Sequence, residues 1–141
     1  MMIKLKNVSK IYSMGNNELR ALDQVNLEIS RGEFVSICGA SGSGKTTLLN
    51  IIGCLDDYDE GQYFLNDIDV SGFKDGRRAE IRNKTVGFVL QDFALINSQT
   101  VLYNVMLPLL FGKCAYSQLK KKALMALELV GIKDQANKKA N

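Results

Sequence analysis

Gly39-Ala40-Ser41-Gly42-Ser43-Gly44-Lys45-Thr46 is a complete G-x-x-x-x-G-K-[ST] pattern, set between an apolar run and a run with helical spacing. Glycines at 39, 42 and 44 admit backbone conformations closed to residues with a Cβ, so successive N–H groups can turn inward as a nest for an anion. Lys45 supplies a point charge for terminal phosphates, and the Thr46 hydroxyl a ligand for a divalent cation. Upstream, Phe34-Val35-Ser36-Ile37-Cys38 has the length and composition of a buried strand. Downstream, Leu48, Leu49, Ile51 and Ile52 recur at helical spacing and stop at Gly53. That predicts a helix with its positive end toward the phosphates and Gly53 as its C′ cap. Strand, loop and helix in this order distinguish a phosphate-binding loop from a Gly/Ser-rich turn that merely joins two elements.

Around this centre the chain reads as alternating strands and helices. Ile3 to Ile11 forms one expected strand, and Val25, Leu27 and Ile29 alternate on a second, which Ser30-Arg31-Gly32-Glu33 joins to the loop strand. Past the loop helix, Asp56 to Gly61 is a polar turn and Tyr63 to Leu65 a short strand ending at Asn66-Asp67. A charged helix spans Asp75 to Lys84, and Val86 to Leu90 is a strand of buried type. Two helices follow, Val101 to Phe111 with Pro108 as a bend point, and Ser117 to Val130 with Gly131 as its stop. The order implies an α/β protein with a mostly parallel nucleotide-binding sheet.

Composition excludes several other classes. The 141 residues suit one domain, and a hydrophobic content of 46% is that of a globular protein, not a disordered one. There is no histidine, which removes imidazole catalysis and imidazole metal ligation. Cys38, Cys54 and Cys114 are odd in number and form no C-x-x-C pair, so neither a disulfide framework nor a zinc site is written here, and a reducing compartment is expected. The net charge of +3 reflects lysines near the C-terminus. Leu119, Ala123, Leu127 and Val130 form an apolar stripe there that leaves Lys120 to Lys122 on the solvated side. No aromatic residues interleave with those lysines, so nucleic acid is not an expected partner. The longest apolar stretch is broken by Tyr103, Asn104 and Pro108 and falls short of the roughly 20 residues that span a bilayer.

Beyond the loop, Tyr12, Gly32-Glu33, Thr47, Gly61 and Val86-Gly87-Phe88-Val89-Leu90-Gln91 together resemble the N-terminal part of an ATP-binding-cassette (ABC) transporter ATPase domain. Gly53-Cys54-Leu55-Asp56, the Arg82-Asn83-Lys84 triplet, Asn104-Val105 with Leu107-Pro108-Leu109, and Ala126-Leu127-Glu128 resemble the branch serving lipoprotein release and macrolide export. The resemblance implies a P-loop NTPase fold with an N-terminal antiparallel β part and the start of a helical subdomain: 1–96 would be the N-terminal part of the ATPase core, with the β part, the phosphate loop and Gln91, and 97–141 a partial helical subdomain. It implies ATP and Mg²⁺ as ligands, with Gly39 to Thr46 on the phosphates, Thr47 on the α-phosphate and Tyr12 stacking on adenine. Thr46 and Gln91 would hold the metal, and Gln91 would also orient the attacking water and sense the membrane partner. The implied partners are a transmembrane permease and a second ATPase subunit, at the cytoplasmic face of the membrane.

Departures from the pattern are equally legible. A proline is usual near position 97 and a glutamate near 103, where this chain has Asn97 and Tyr103. No acidic residue directly ends a second buried strand, no Leu-Ser-Gly-Gly-Gln signature is present, and the switch histidine is missing. Catalysis depends on groups that act only in the transition state, so these 141 residues are expected to bind ATP with negligible hydrolysis. The sequence ends near where the resemblance would place the approach to the signature. The implied sheet would then lack its centre, and an edge-paired or exchanged oligomer or a rearranged sheet is expected. Two alternatives stand beside this: a non-catalytic nucleotide-binding or interaction fragment, and an unrelated P-loop enzyme such as a kinase or GTPase. Against the GTPase, Asn83-Lys84 continues as Thr85-Val86 and not as a guanine-reading x-Asp.

Overall fold

Apolar alternation in the first thirty residues produces a long hairpin, β1 (Ile3–Met14) and β2 (Asn17–Ile29), paired antiparallel from Ile3↔Ile29 to Met14↔Asn17. The computed structural model describes residues 1–15, 17–89, 95–112 and 114–140. Contacts group them into two units, Met1–Val86 and Gly87–Asn141.

In the first unit β3 (Glu60–Leu65) pairs antiparallel with β1, and the two-residue β4 (Ile68–Asp69) with β3, giving the sheet order β2-β1-β3-β4. Asn66 and Asp67 turn the β3–β4 hairpin with φ values of 51 and 62, the pair of positive angles that a two-residue turn needs to follow strand twist. A bulge interrupts β1 at Asn7, whose φ is 50, with Gln24 at 47 on the facing strand. Asn26 spans this irregularity, donating from Nδ2 to Asn7 Oδ1 (3.0 Å) and to the Gln24 carbonyl (2.9 Å), while the Asn7 N–H donates to Asn26 Oδ1 (3.0 Å). The bulge drives the Lys6 and Asn7 carbonyls toward β3 at Gly61: a Cβ there would lie 2.4 Å from the Asn7 oxygen, and φ is +98. Only glycine fits that position without moving the sheet.

Helix α1 (Lys45–Ile52) lays Ile51 onto the sheet, where it joins Leu5, Val8, Leu22, Cys54, Tyr63, Leu65 and Val70 in one buried cluster. Each fully buried aliphatic side chain contributes about 1.5–3 kcal/mol of transfer free energy. Tyr63, 1% exposed, donates its hydroxyl to the Ile52 carbonyl (2.6 Å), and burial raises its ionisation far above the usual phenol range. The end of α1 differs from expectation. Gly53 keeps an ordinary φ of −78, and the left-handed residue is Cys54 at φ 56. Leu55 N–H donates to the Asn50 carbonyl (2.8 Å) and Cys54 N–H to that of Ile51 (2.9 Å), which is the Schellman pattern with cysteine at C′. Helix α2 (Asp75–Lys84) follows with the bounds its charge pattern predicts, carrying Arg77 and Lys84 on either side of Glu80 (2.5 and 2.6 Å). These two cations hold the Glu80 carboxyl down to about 2.

Among the described residues two expected strands are absent, Phe34 to Cys38 and the 86–89 part of the Val86-to-Leu90 run, whose last residue lies outside them. Residues 34–38 form no strand among the described residues, Phe34 being 98% and Val35 44% exposed. Residues 86–89 are likewise irregular, with Val89 fully exposed. A strand exists only as a rung of a ladder, and among the described residues nothing supplies the neighbouring rungs for either run. The sheet of the described residues is therefore entirely antiparallel, not mostly parallel. The antiparallel β part that the resemblance implied is present.

The second unit is helical. Thr100 caps α3 (Val101–Phe111) by accepting the Tyr103 N–H (3.1 Å), and Pro108 lies inside the helix without ending it. Helix α4 (Tyr116–Leu129) buries Leu119, Ala123 and Leu127, while Lys120 to Lys122 stay exposed. Val130, the fourth member of the expected stripe, is 68% exposed because the helix ends before it. Gly131 takes the left-handed C′ position at φ 75, with Ile132 N–H on the Leu127 carbonyl (2.9 Å). The C-terminal stretch returns to α3 through Val101 N–H to the Lys138 carbonyl and Leu102 N–H to that of Ala136, both 2.9 Å. Among the described residues no helix is long and apolar enough to cross a membrane.

Replacing Gly61 with alanine is expected to lower the free energy of urea unfolding by about 2–3 kcal/mol, because the new Cβ meets two fixed carbonyls in a left-handed backbone. A loss under about 0.5 kcal/mol would contradict the close approach at the bulge.

Candidate functional site

The glycine-rich loop owes its shape to two left-handed residues, Gly42 at φ +77 and Gly44 at φ +85. They play different parts. A Cβ on Gly42 would meet nothing within 4 Å, whereas one on Gly44 would lie 2.4 Å from the Ala21 carbonyl oxygen and 3.1 Å from Leu22 Cδ2. Gly44 is thus the point at which the loop presses against β2. A third constraint lies at Gly39, where a Cβ would fall 2.6 Å from Ser43 Oγ.

Gly44 also starts α1. The first helical bond runs from Leu48 N–H to the Gly44 carbonyl (2.9 Å), so the N–H groups of Gly44, Lys45, Thr46 and Thr47 precede the ladder and are available as donors. Together with the helix dipole they make an anion site. Lys45 folds back over the loop, its Nζ donating to the carbonyls of Gly39 (2.9 Å) and Ala40 (2.6 Å) and approaching Ser43 Oγ (3.3 Å). An anion entering the nest offers this ammonium a charged acceptor in place of neutral carbonyls, and charge-assisted bonds are roughly twice as strong.

Gly42 to Thr47 share a pocket of about 210 Å³ with Tyr12, Leu19 and Ala21. Tyr12 arrives there because it lies near the end of β1, opposite Leu19 on β2, and β2 is the strand that Gly44 touches. Of the residues read from the sequence, Tyr12, Gly42, Ser43, Gly44, Lys45, Thr46 and Thr47 line this one pocket; Gly39, Ala40 and Ser41 form the exposed arm of the loop beside it. Gln91 lies outside the described residues. Leu19 and Ala21 carry no motif, and strand register alone brings them to the pocket.

Thr46 sits in the first turn of α1, next to Lys45 and facing the phosphate nest, which fits the single protein hydroxyl that a phosphate-bound Mg²⁺ takes. Such an ion keeps much of its shell as water and phosphate oxygen, to which Thr46 would add one hydroxyl.

Comparison with known proteins shows the family. The family model described as ABC transporter matches residues 22–141, and the chain belongs to that family. It is 47% identical over 138 residues to the ABC transporter ATP-binding protein YvrO of Bacillus subtilis, covering 98% of this chain and 60% of that protein. It is 44% identical over 144 residues to the macrolide export ATP-binding/permease protein MacB of Chlorobaculum tepidum, covering 99% of this chain and 21% of that one. Among solved structures, the dimeric post-hydrolysis ATP-binding cassette MJ0796, bound to ADP and Pi, superposes with a TM-score of 0.87 at 46% identity over 99% of this chain and 62% of its own. The sequence relative of that name, from Methanocaldococcus jannaschii, is 47% identical, and this chain spans 61% of its length. Membership of this family sets aside the kinase and GTPase alternatives.

The two left-handed glycines are expected to respond unequally to alanine in the absence of nucleotide. Gly42→Ala should cost about 1 kcal/mol of unfolding free energy through backbone strain alone, and Gly44→Ala about 2–4 kcal/mol because the Ala21 carbonyl must also move. Equal losses in urea titrations would show that Gly44 does not bear on β2.

Proposed function

We propose that the chain is the nucleotide-binding portion of an ABC transporter ATPase, and that by itself it binds ATP but turns it over negligibly. The observation that carries this reading is the convergence of the open donors at the start of α1, the Lys45 ammonium and the Tyr12 ring on one pocket. Gly39 to Thr46 wrap the phosphates, Thr47 adds a hydroxyl near the α-phosphate, and Tyr12 offers an aromatic face for adenine. Mg²⁺, when bound with the nucleotide, neutralises phosphate charge; Thr46 and Gln91 are its protein ligands in this reading. The sequence has no acidic residue directly ending a second buried strand, with a glutamate beside it as general base, and no Leu-Ser-Gly-Gly-Gln segment for the γ-phosphate, so in this reading stabilisation specific to the transition state is missing.

In the whole protein this portion couples ATP hydrolysis to transport, working at the inner face of the membrane through a permease and pairing with a second ATPase subunit. The partly uncovered α3, with no buried side chain and with Tyr103, Leu110 and Phe111 exposed by 40%, 44% and 85%, supports a partner-facing role for the second unit. A second reading concerns the chain alone. The uncovered Phe34-to-Cys38 run favours pairing of that segment with another copy, giving an edge-paired oligomer.

Titration with ATP and Mg²⁺ should show saturable binding that Lys45→Ala weakens at least about tenfold, given the loss of the one cation in the nest. Phosphate release should not exceed that of the Lys45→Ala protein; sustained turnover above that control would overturn the account of hydrolysis. Sedimentation should show association that Val35→Lys suppresses, and a monomer at all concentrations would overturn the edge-pairing.

A further inference from the structure

The Tyr12 side chain is held by two residues, Lys10 and Asp56, to which the sequence assigns no role in the site. Its hydroxyl donates to Asp56 Oδ2 (2.8 Å), and Lys10 Nζ lies 5.1 Å from its ring centroid. Lys10 Nζ in turn pairs with Asp56 Oδ1 at 3.4 Å, so the three side chains close a triangle. Lys10 is only 9% exposed, and its other end is fixed in β1. With the ammonium over one face of the ring, a nucleobase has only the opposite face.

Asp56 is itself held in place. Its N–H donates to the Asn50 carbonyl of α1 (3.3 Å), and its Oδ1 accepts the Asp57 N–H (2.8 Å). Around it the turn is stitched to β1, where Asp59 Oδ2 accepts the Ile11 N–H (2.6 Å) and the Asp59 N–H reaches the Ser9 carbonyl (2.9 Å). Asp57 pairs with Arg78 of α2. The helix that presents Lys45 and Thr46 at its start therefore presents, just past its end, the carboxylate that grips Tyr12. Eight residues of α1 join the phosphate end of the site to the base end.

We propose that Asp56 is a positioning residue for nucleotide binding: with Lys10 it fixes the Tyr12 ring as a platform before the base arrives, without touching the nucleotide. This rests on Tyr12 being the base platform. A ring already immobilised loses less freedom on binding, so removing the grip should weaken ATP while leaving phosphate recognition intact.

The test is competition titration of the full chain with ATP and with inorganic tripolyphosphate, which has no base. Asp56→Ala and Tyr12→Phe should each weaken ATP about three- to tenfold, the scale of freeing one side chain, and leave tripolyphosphate unchanged. The double variant Tyr12→Phe/Asp56→Ala should be no weaker than either single variant, because both remove the same bond. Asp56→Asn keeps a neutral acceptor and should restore affinity to within about twofold of the parent. Additive losses, equal losses for tripolyphosphate, or parent-like ATP affinity in both single variants would overturn the positioning role. Tyr12→Ala separates the two levels: a large loss there with parent-like Asp56→Ala sinks only this inference, whereas no loss sinks the platform reading as well.

Discussion

The contact between Gly44 and the Ala21 carbonyl governs the rest of the site. A side chain at Gly44 would stand 2.4 Å from that oxygen, so the absence of a Cβ is what allows the glycine-rich loop to rest on β2. Once it rests there, α1 starts with its free N–H groups beside the hairpin, and Tyr12, placed by its register with Leu19, falls within the same pocket. In the proposed reading the hairpin would supply the base end and the loop the phosphate end, and one close backbone approach would set the distance between them. Packing of Ile51 among Leu5, Val8 and Tyr63 fixes the other end of α1.

What was legible in the sequence divides along a physical line. The loop and the helix after it follow from local residue types: glycines for positive φ, apolar spacing for the buried face. The charged helix 75–84 and the two helices of the second unit were equally readable, since a helix satisfies its own backbone. Runs 34–38 and 86–90 looked no less convincing as strands, but strand formation is a property of neighbours, and the described residues offer 34–38 and 86–89 none. The left-handed cap at Cys54 was invisible for another reason: Gly53 is the obvious residue for it, yet the buried packing of Cys54 beside Tyr63 and Ile51 decides which of the two turns.

The site itself was partly legible. The loop from Gly39 to Thr46 announced itself by motif, and Tyr12 by resemblance and by position. Leu19, Ala21 and Lys10 did not, and Asp56, though quoted in the resemblance, carried no site role, since their places depend on register and on the turn after α1. Lys45 shows the same limit: its identity was clear, but not that its ammonium would donate to the carbonyls of Gly39 and Ala40. Asp56 lies 11 residues beyond Lys45, at the end of a stretch that carries the resemblance but names no site role, and only the folded turn brings it to Tyr12.

The central claim is that the Gly39-to-Thr47 segment and Tyr12 make one nucleotide pocket. Amide chemical-shift mapping of the isotopically labelled chain during titration with Mg²⁺-ATP tests it most directly. The largest changes should fall on Gly42 to Thr47, with a second group at Tyr12, Leu19 and Ala21 at the base end. Saturable changes confined to other surfaces, or a loop response with no change on the β1–β2 hairpin, would contradict it.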